Sequence, residues 1–212
     1  MPRRRSTVPP TCFIPSCPAD FVGQAGKVAE MLLRKAETLR ANPDRSFKLL
    51  VSGAPGIGKT SLVNLVARAL ASYHAAIEDV NGREVGLDTA REWIRCLGFG
   101  SLFGPWTVKV VNELDRCSKD AQDLLLTYLD RMPAGHAFLG TTNLDIGNLT
   151  ERFQTRFQSI KLGAPNTEEI ADLLRRHWPV DEATALRIAV GSGGCVRAAL
   201  ADLESWLDVG GC

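Results

Sequence analysis

The sequence predicts an α/β fold, in which a parallel sheet is flanked by helices, followed by a small all-helical domain. A glycine-rich stretch near residue 53 lies between a strand-like segment and a helix-like segment. Strand-like and helix-like segments then alternate as far as residue 142, which is typical of a parallel sheet with both faces covered. After residue 163 the pattern contains only helix-like segments. These three observations divide the chain into an α/β part and a helical part.

The glycine-rich stretch, residues 53–60, fits the phosphate-binding pattern G-x-x-x-x-G-K-[ST] at every fixed position. It separates a predicted buried strand over 47–52 from a predicted helix over 61–70, so backbone N–H groups and a helix N-terminus converge there. Lys59 would reach the β- and γ-phosphates of ATP, and the Thr60 hydroxyl would hold Mg²⁺. An ordinary glycine-rich turn is the alternative. The residues of this loop that we expect to bind the nucleotide are Gly53, Ala54, Pro55, Gly56, Ile57, Gly58, Lys59, Thr60 and Ser61.

The other elements are predicted from the spacing of apolar residues. A helix over 25–39 precedes the first strand, and Asp88 and Thr167 are the expected N-caps of later helices. The further strands are predicted over 74–80, 106–111 and 137–142, and the further helices over 89–97 and 118–131, with three short helices between 165 and 209.

Changes in composition suggest three regions. Residues 1–19 are rich in Pro and Arg and are expected to form a flexible N-terminal arm. Residues 20–163 form the predicted nucleotide-binding α/β domain. Residues 164–212 form the predicted helical lid domain.

The composition is that of a globular protein, with 45% hydrophobic and 23% charged residues in a chain of 212. The net charge of +1 means that any nucleic-acid site must be a local patch. No apolar run approaches the length of a membrane span, and no apolar signal segment follows the basic start. We therefore expect a cytoplasmic protein with no membrane partner, whose six cysteines, which lack zinc-site spacing, are reduced thiols.

Polar side chains follow two of the predicted strands. Asn112 and Glu113 come directly after the strand over 106–111, and Asn143 comes directly after the strand over 137–142. Phosphate sites in parallel sheets lie at the carboxyl ends of the strands. We therefore expect these three side chains to lie near the phosphate loop.

Taken in order, these motifs resemble the AAA+ ATPases, and most closely the clamp-loader subunits such as the replication factor C small subunits. The resemblance extends over residues 18–208 and implies a five-stranded parallel sheet, bound ATP and Mg²⁺, and a C-terminal helical lid. The segments that carry it are the adenine-side box at 21–24, Walker A at 53–60, a loader-like segment at 80–91, Walker B at 110–115 followed by 120–122, sensor 1 at 141–143, the arginine-finger motif at 155–157 and sensor 2 at 193–200.

The resemblance also implies a role for each residue around the nucleotide. Val22 and Gly23 would lie beside the adenine. Glu113 would orient the attacking water, Asn143 would hydrogen-bond that water or the γ-phosphate, and Arg197 would reach the γ-phosphate from the lid. The alternatives for the last three are a solvated acid at a strand end, a turn asparagine and a helix-surface arginine.

Further residues would act between subunits or on DNA. Arg156 would enter the neighbouring subunit's site as an arginine finger, and Arg152, one helical turn earlier, could substitute or assist. A finger that acts in trans implies self-association into a ring or filament, or a hetero-oligomer with related subunits. Arg83, Thr89 and Arg91 occupy the place where ring-forming relatives face a central channel, so DNA is an expected partner. A solvated face with i,i+3 and i,i+4 charge pairs is the alternative.

Three features depart from the clamp-loader pattern. Walker B normally ends in Asp-Glu, whereas this chain has Asn112-Glu113, so Thr60 and Asn112 would hold Mg²⁺, through its water shell, with a neutral amide in place of a carboxylate. The finger motif, 155–157, reads Thr-Arg-Phe rather than Ser-Arg-Cys. Loader subunits continue into a helical collar after sensor 2, and this sequence does not contain one.

The expected function is that of an oligomeric ATPase that loads or remodels a protein partner on DNA. The alternative is an ATP-gated scaffold or adaptor with weak hydrolysis, similar to a mobile-element accessory protein or a helicase loader. The two alternatives differ in whether Asn112, in place of an aspartate, makes ATP hydrolysis weak. The sequence does not identify the protein partner.

Overall fold

The computed structural model describes residues 8–99, 104–143 and 150–210. The helices in this part of the chain are α1 (Gln24–Ala41), α2 (Lys59–Leu70), α3 (Leu87–Cys96), α4 (Lys119–Arg131), α5 (Glu151–Gln154), α6 (Thr167–His177), α7 (Glu182–Gly191) and α8 (Val196–Asp208). The strands are β1 (Phe47–Ser52), β2 (Ile77–Asn81), β3 (Thr107–Asn112), β4 (His136–Thr142) and β5 (Gln158–Lys161).

The five strands form one parallel sheet in the order β2-β3-β4-β1-β5. The two central strands, β4 and β1, are almost entirely buried, whereas the edge strands β2 and β5 are half exposed. This arrangement confirms the α/β fold and the five-stranded parallel sheet. It also places the carboxyl ends of β1, β3 and β4 along the same edge.

Helices cover both faces of the sheet. On one face, Leu49 and Val110 pack against α1 and α2, and on the other, Leu50 and Phe138 pack against α3 and α4. Neighbouring residues of one strand therefore belong to different cores, because successive side chains point to opposite faces of a sheet. The phosphate-loop helix α2 lies on the same face as Val110, and this determines which side chains at the end of β3 face the loop.

The last three helices form a second apolar cluster. Ile170 and Leu174 of α6, Ala185 of α7 and Leu203 of α8 are buried against one another. Val22, from the start of the α/β part, is also buried in this cluster. The expected C-terminal helices are confirmed. None of the helices in the described ranges is long and apolar enough to cross a membrane.

Two helix starts differ from the sequence prediction. Asp88 lies in the first turn of α3, which begins at Leu87, and is therefore not its N-cap. Asn166, not Thr167, is the N-cap of α6, because the Asn166 Oδ1 accepts the N–H of Glu169 at 2.8 Å while the Glu169 carboxylate accepts the N–H of Asn166 at 2.9 Å. This reciprocal pair is a capping box.

The predicted strand over 74–80 is shorter in the structure. His74–Ala76 forms a 3₁₀ turn, and β2 begins only at Ile77. β2 is an edge strand whose five residues are all half-buried or exposed, so the apolar pattern that marks a central strand is weak there.

The N-terminal segment differs from the expected flexible arm. The Trp178 Nε1–H donates to the carbonyl oxygen of Val8 at 3.0 Å, and the N–H of Thr11 donates to the Glu204 carboxylate at 2.7 Å. The Phe13 ring packs edge-on against Trp178, with centroids 5.2 Å apart. Residues 8–20, here called the N-terminal strap, are thus attached to the helical lid, while the rest of the predicted arm, 1–7, lies outside the described residues.

Candidate functional site

A cavity of about 490 Å³ lies at the carboxyl edge of the sheet. Its walls come from the strap and the two residues that follow it, the phosphate loop with the start of α2, the ends of β3 and β4, and helices α6 and α8. The lining residues used below are Phe13, Phe21, Val22, Pro55, Gly56, Ile57, Gly58, Lys59, Thr60, Ser61, Glu113, Asn143, Leu173, Arg197 and Leu200. Residues predicted from separate motifs are therefore brought to one concave site.

The phosphate loop has the backbone conformation that its glycines allow. Gly56 and Gly58 have φ angles of +76° and +98°, a region that other residues rarely adopt. A Cβ at Gly56 would also collide with the Cys195 Sγ, because the lid approaches the loop closely there. The backbone N–H of Arg197 donates to the Gly56 carbonyl oxygen at 3.1 Å. The loop and the start of α8 are thus in direct contact.

Lys59 is buried at the start of α2, and its ammonium group lies within the loop. The Nζ donates to the carbonyl oxygens of Gly53 at 2.9 Å and Ala54 at 2.7 Å. Burial, and then the positive charge of Arg197, hold the pKa of Lys59 below its usual value, while the Asp115 and Glu113 carboxylates act in the opposite direction. A desolvated cation between two acids and an arginine is suited to an anionic ligand.

Glu113 has a left-handed backbone conformation, with φ of +54°, and is the only residue other than glycine with positive φ in the described ranges. Its N–H donates to the Thr141 Oγ1 at 3.1 Å, which ties the end of β3 to the end of β4. Its carboxylate pairs with the Arg116 guanidinium at 3.1 Å and accepts the Asn143 Nδ2–H at 3.5 Å. Strained backbone of this kind is concentrated at functional sites.

Gly82 is a site residue that the sequence analysis did not identify. A Cβ at this position would collide with the carbonyl oxygen of Glu113, because the turn after β2 packs directly against the end of β3. Gly82 falls within the loader-like segment at 80–91, but that resemblance assigns it no role. Gly82 lets the turn approach without displacing Glu113.

Asn112 is the last residue of β3 and occupies a hydrogen-bonded position beside the cavity. Its Nδ2–H donates to the Asp79 carboxylate at 2.7 Å, and its Oδ1 accepts the Thr141 hydroxyl at 3.3 Å. Because side chains alternate along β3, Asn112 shares the sheet face of Val108 and Val110, which pack towards α2. This is the face on which the phosphate loop continues into its helix.

Mg²⁺ prefers oxygen ligands and is usually held by one or two protein groups together with substrate phosphates and water. Thr60 and Glu113 line the cavity, and Asn112, whose Oδ1 is a further oxygen ligand, ends β3 directly before Glu113. Among the described residues no group of three or more His, Cys, Asp or Glu side chains could hold a metal ion alone. The oxygen donors present fit a phosphate-bound Mg²⁺.

Part of the cavity wall is apolar. Phe21 and Val22 line it from the start of the α/β part, and Leu173 and Leu200 line it from the lid. Gly23 does not line the cavity: it has φ of +55° at the start of α1, and a Cβ there would meet the Glu169 carboxylate. The expectation that Val22 lies at the cavity fits the geometry, whereas Gly23 serves the entry to the helix.

Arg156 is not part of the cavity lining of its own chain. Its Nε and Nη2 both bind the Asp130 carboxylate, each at 3.1 Å, in a two-point pairing on the surface. The hydrogen bonds from Arg156 hold the pKa of Asp130 below its usual value. Arg152 is exposed one turn earlier, and its carbonyl oxygen accepts the Arg156 Nη1–H at 3.3 Å.

Of the predicted DNA-facing residues, Arg83 and Arg91 are exposed and Thr89 is half-buried. Arg91 pairs with Asp88 at 3.2 Å, three residues earlier on α3. The Thr89 hydroxyl donates to the Glu84 carbonyl oxygen at 3.3 Å, and Arg83 is exposed in the turn before α3. These contacts fit the alternative expectation, a surface with charge pairs along the helix. A DNA contact here remains a prediction.

Comparison with solved structures finds the same fold in RuvB from Thermotoga maritima, a Holliday junction branch migration motor. The TM-score is 0.71 at 22% sequence identity, over 92% of this chain and 65% of the RuvB chain. Two variants of that RuvB give a TM-score of 0.73, one at 22% identity over 92% and 65% of the two chains and the other at 21% over 93% and 66%. The chain therefore spans just under two thirds of the RuvB length.

The curated protein sequences contain no significant match to this chain. Residues 49–163 match the sequence profile of the ATPase family associated with various cellular activities (AAA). The match covers more than half of the chain and extends from the first strand of the sheet to the start of the lid. The chain is therefore a member of this ATPase family.

Proposed function

We propose that the chain binds ATP and Mg²⁺ in the cavity and hydrolyses ATP by phosphoryl transfer to water, at sites shared between subunits. The observation that carries the proposal is that the phosphate loop, Glu113, Asn143 and Arg197 meet at a single cavity. We assign each of them a part in phosphoryl transfer, a reaction whose catalysis depends on positioning and electrostatics.

The loop would bind the phosphates. Its backbone N–H groups and the N-terminus of α2 favour anions, and Lys59 would exchange its two carbonyl contacts for the β- and γ-phosphate oxygens. Thr60 and Asn112 would hold Mg²⁺ and its water, and the ion when bound neutralises charge that develops on the phosphate oxygens. The apolar wall formed by Phe21, Val22 and Leu200 would contact the base.

Glu113 would orient the attacking water. Its carboxylate is held from two sides by Arg116 and Asn143, so it points in a defined direction at the end of β3. A carboxylate in this position accepts a proton from water as the water attacks the γ-phosphate. Asn143 would hydrogen-bond the same water or the phosphate.

Arg156 and Arg197 would stabilise the charge on the transferring group. Arg197 approaches from the lid of the same chain, next to Gly56. Arg156 lies outside its own cavity and is available on the surface for a neighbouring subunit. An arginine supplied in trans makes turnover depend on assembly into a ring, a filament or a hetero-oligomer.

The proposed work of this ATPase is to load or remodel a protein partner on DNA. The motif order that resembles clamp-loader subunits supports this proposal, as does the similarity in fold to RuvB, which is described as a branch migration motor. The exposed Arg83 and Arg91 beside the start of α3 supply cationic groups for a phosphate backbone.

A second candidate is an ATP-gated scaffold, and Asn112 is the observation that favours it. A neutral amide at the end of β3 removes one negative charge from the Mg²⁺ environment, which weakens turnover more than nucleotide binding. In this case ATP would serve as a ligand that drives assembly on DNA or on a partner protein.

Steady-state ATP hydrolysis with Mg²⁺, in the presence and absence of DNA, separates the two candidates. Lys59→Ala serves as the blank. Turnover that rises with DNA and falls to the blank in Arg156→Ala supports the motor. Tight ATP binding with turnover no higher than the blank supports the scaffold, and ATP-dependent assembly measured by size then tests it. Nucleotide binding equal to that of Lys59→Ala would contradict both.

A further inference from the structure

We propose that Asp79 is a positioning residue that fixes the Asn112 amide with its oxygen towards the phosphate loop. The proposal rests on the proposed function, since it concerns how this chain builds its Mg²⁺ site with an amide instead of a carboxylate. Asp79 belongs to no motif of the sequence, and its part in the site comes only from the register of β2 and β3.

The register brings Asp79 to the correct face. Asp79 is opposite Val110 and Asn81 is opposite Asn112, so Asp79 lies one side-chain step from Asn112 on the same sheet face. Its carboxylate reaches the Asn112 Nδ2 at 2.7 Å. Asp79 is exposed and on an edge strand, so it does not contribute to the apolar core that would otherwise explain it.

The chemistry of the contact determines the direction of the amide. An ionised carboxylate only accepts hydrogen bonds, so the Asn112 group that faces Asp79 must be the NH₂. The Oδ1 then points to the opposite side. There it accepts the Thr141 hydroxyl at 3.3 Å, and that hydroxyl oxygen in turn accepts the Glu113 N–H at 3.1 Å.

The strand order shows that the Asn112 Oδ1 points towards the side of the phosphate loop. In the order β2-β3-β4-β1, Asp79 on β2 lies on the side of β3 away from the phosphate loop, and Thr141 on β4 lies on the side towards it, because the loop follows β1. Asp79 thus turns the side-chain oxygen of Asn112 towards the loop. The same hydrogen-bond chain runs from Asp79 through Asn112 and Thr141 to the backbone of Glu113.

Two consequences follow for variants. In Asp79→Asn, the new amide both donates and accepts, so it no longer selects one orientation of Asn112. In Asn112→Asp, a carboxylate would face Asp79 at hydrogen-bond distance, and like charges so close oppose ionisation of one of them. The double variant Asp79→Asn/Asn112→Asp exchanges donor and acceptor and restores the hydrogen bond with a carboxylate on β3.

The test is a Mg²⁺ titration of nucleotide binding, with a fluorescent non-hydrolysable ATP analogue as the probe. We expect Asp79→Asn to raise the Mg²⁺ concentration that gives half of the maximal effect by roughly five- to tenfold, because one hydrogen bond to a charged group is lost. The affinity for the analogue in the absence of Mg²⁺ should not change. Asp44→Asn, at an exposed turn, is the matched control and should leave the titration unchanged. The double variant should need less Mg²⁺ than either single variant.

An Asp79→Asn shift of less than about twofold would overturn the proposal, given the size of charged hydrogen bonds. The proposal would also be overturned if Asn112→Asp lowered the required Mg²⁺ concentration by the same factor with and without Asp79→Asn, because the two side chains would then act independently. The proposed function would instead be contradicted if the affinity for the analogue did not change when Mg²⁺ was added and did not differ between the wild type and Lys59→Ala. Thermal unfolding of each variant shows whether the fold is retained.

Discussion

Glu113 concentrates several unusual features in a single residue. It combines a left-handed backbone, an ion pair with Arg116 and a hydrogen bond from Asn143 at the edge of the cavity. No apolar core packing accounts for them, because the side chain is only half-buried. The local contacts therefore fix the position of the Glu113 carboxylate rather than stabilise the fold.

We expect Glu113→Gln to lower the rate constant of ATP hydrolysis by at least about 100-fold, the size of a general-base contribution. ATP affinity should change little, because the amide retains the shape of the side chain and the phosphate loop is untouched. Single-turnover hydrolysis and equilibrium binding of the same preparation measure the two effects. Asp123→Asn, an exposed acid on α4, is the control. Hydrolysis within threefold of wild type would contradict the role of Glu113 as the base.

Gly82→Ala tests the contact between the β2 turn and the end of β3. The added Cβ collides with the Glu113 carbonyl oxygen, so we expect a loss of about 1–3 kcal/mol in the free energy of unfolding and a displaced Glu113. Gly86→Ala, four residues later, is the matched control because a Cβ there meets no atom within 4 Å. Denaturant unfolding and ATP turnover are the measurements. Equal effects in the two alanine variants would contradict the close approach.

At the level of elements, the strap links the lid to the nucleotide cavity. It contacts Trp178 and Glu204 of the lid, while Phe13 and Asp20 also line the cavity. Within the strap, the buried Asp20 carboxylate accepts hydrogen bonds from the N–H and hydroxyl of Ser16. The lid is therefore attached to the strap as well as to the phosphate loop.

Asp20 predicts how the attachment of the strap depends on pH. Burial alone raises the pKa of Asp20, but hydrogen bonds from Ser16 and Cys17 outweigh it and hold the pKa below its usual value. Because the folded pKa is depressed, the stabilisation is present above the pKa of the unfolded chain and is lost as the pH falls through the folded value. The His177 Nε2 also lies 3.6 Å from this carboxylate.

We therefore expect Asp20→Asn to lower the unfolding free energy near neutral pH and to reduce its fall below about pH 4, where carboxylates of ordinary pKa are protonated. Asp202→Asn, at an exposed position of α8, is the control. Denaturant unfolding between pH 3 and 7 provides the measurement. Parallel pH profiles for wild type and Asp20→Asn would show that Asp20 contributes no such stabilisation.

The elements that the sequence predicted well are those with strong internal patterns. Buried strands such as β1 and β4 and the amphipathic α4 were found to within a residue or two, because their apolar spacing reflects the core directly. The edge strand β5 carries only four residues of mixed burial and was implied by the family resemblance alone. The strap was missed because its partners lie more than 150 residues away and its composition resembles that of a free tail.

The site was predicted to a similar extent. Local motifs identified the loop, Glu113 and Asn143, and the structure brings them to one cavity. Asp79, Gly82 and Asp130 could not be found in this way, because each depends on a contact across strands or between elements that are distant in the sequence. Strand register and surface pairing are properties of the fold rather than of any short segment.

At the scale of the whole molecule, the separation between Arg156 and its own cavity is the central observation. The guanidinium is fixed by Asp130 on the surface, so the arginine is held in place before any neighbour arrives. The Nη1 group donates to the Thr155 hydroxyl and to the Arg152 carbonyl oxygen, so the contacts with Asp130, Thr155 and Arg152 use four of the five guanidinium N–H groups and leave one for a neighbouring subunit. A complete site would then require two copies of the chain, or this chain and a related subunit.

The decisive experiment mixes two inactive variants, Glu113→Gln and Arg156→Ala. Each homogeneous assembly lacks one group at every shared site, whereas in a mixed assembly the intact Glu113 of one subunit meets the intact Arg156 of the next. Random mixing of equal amounts should restore hydrolysis at about a quarter of the sites, while Lys59→Ala mixed with Glu113→Gln restores none. Recovery near that level is the predicted result. A mixture no more active than the two variants measured separately would contradict an ATPase site built by two subunits.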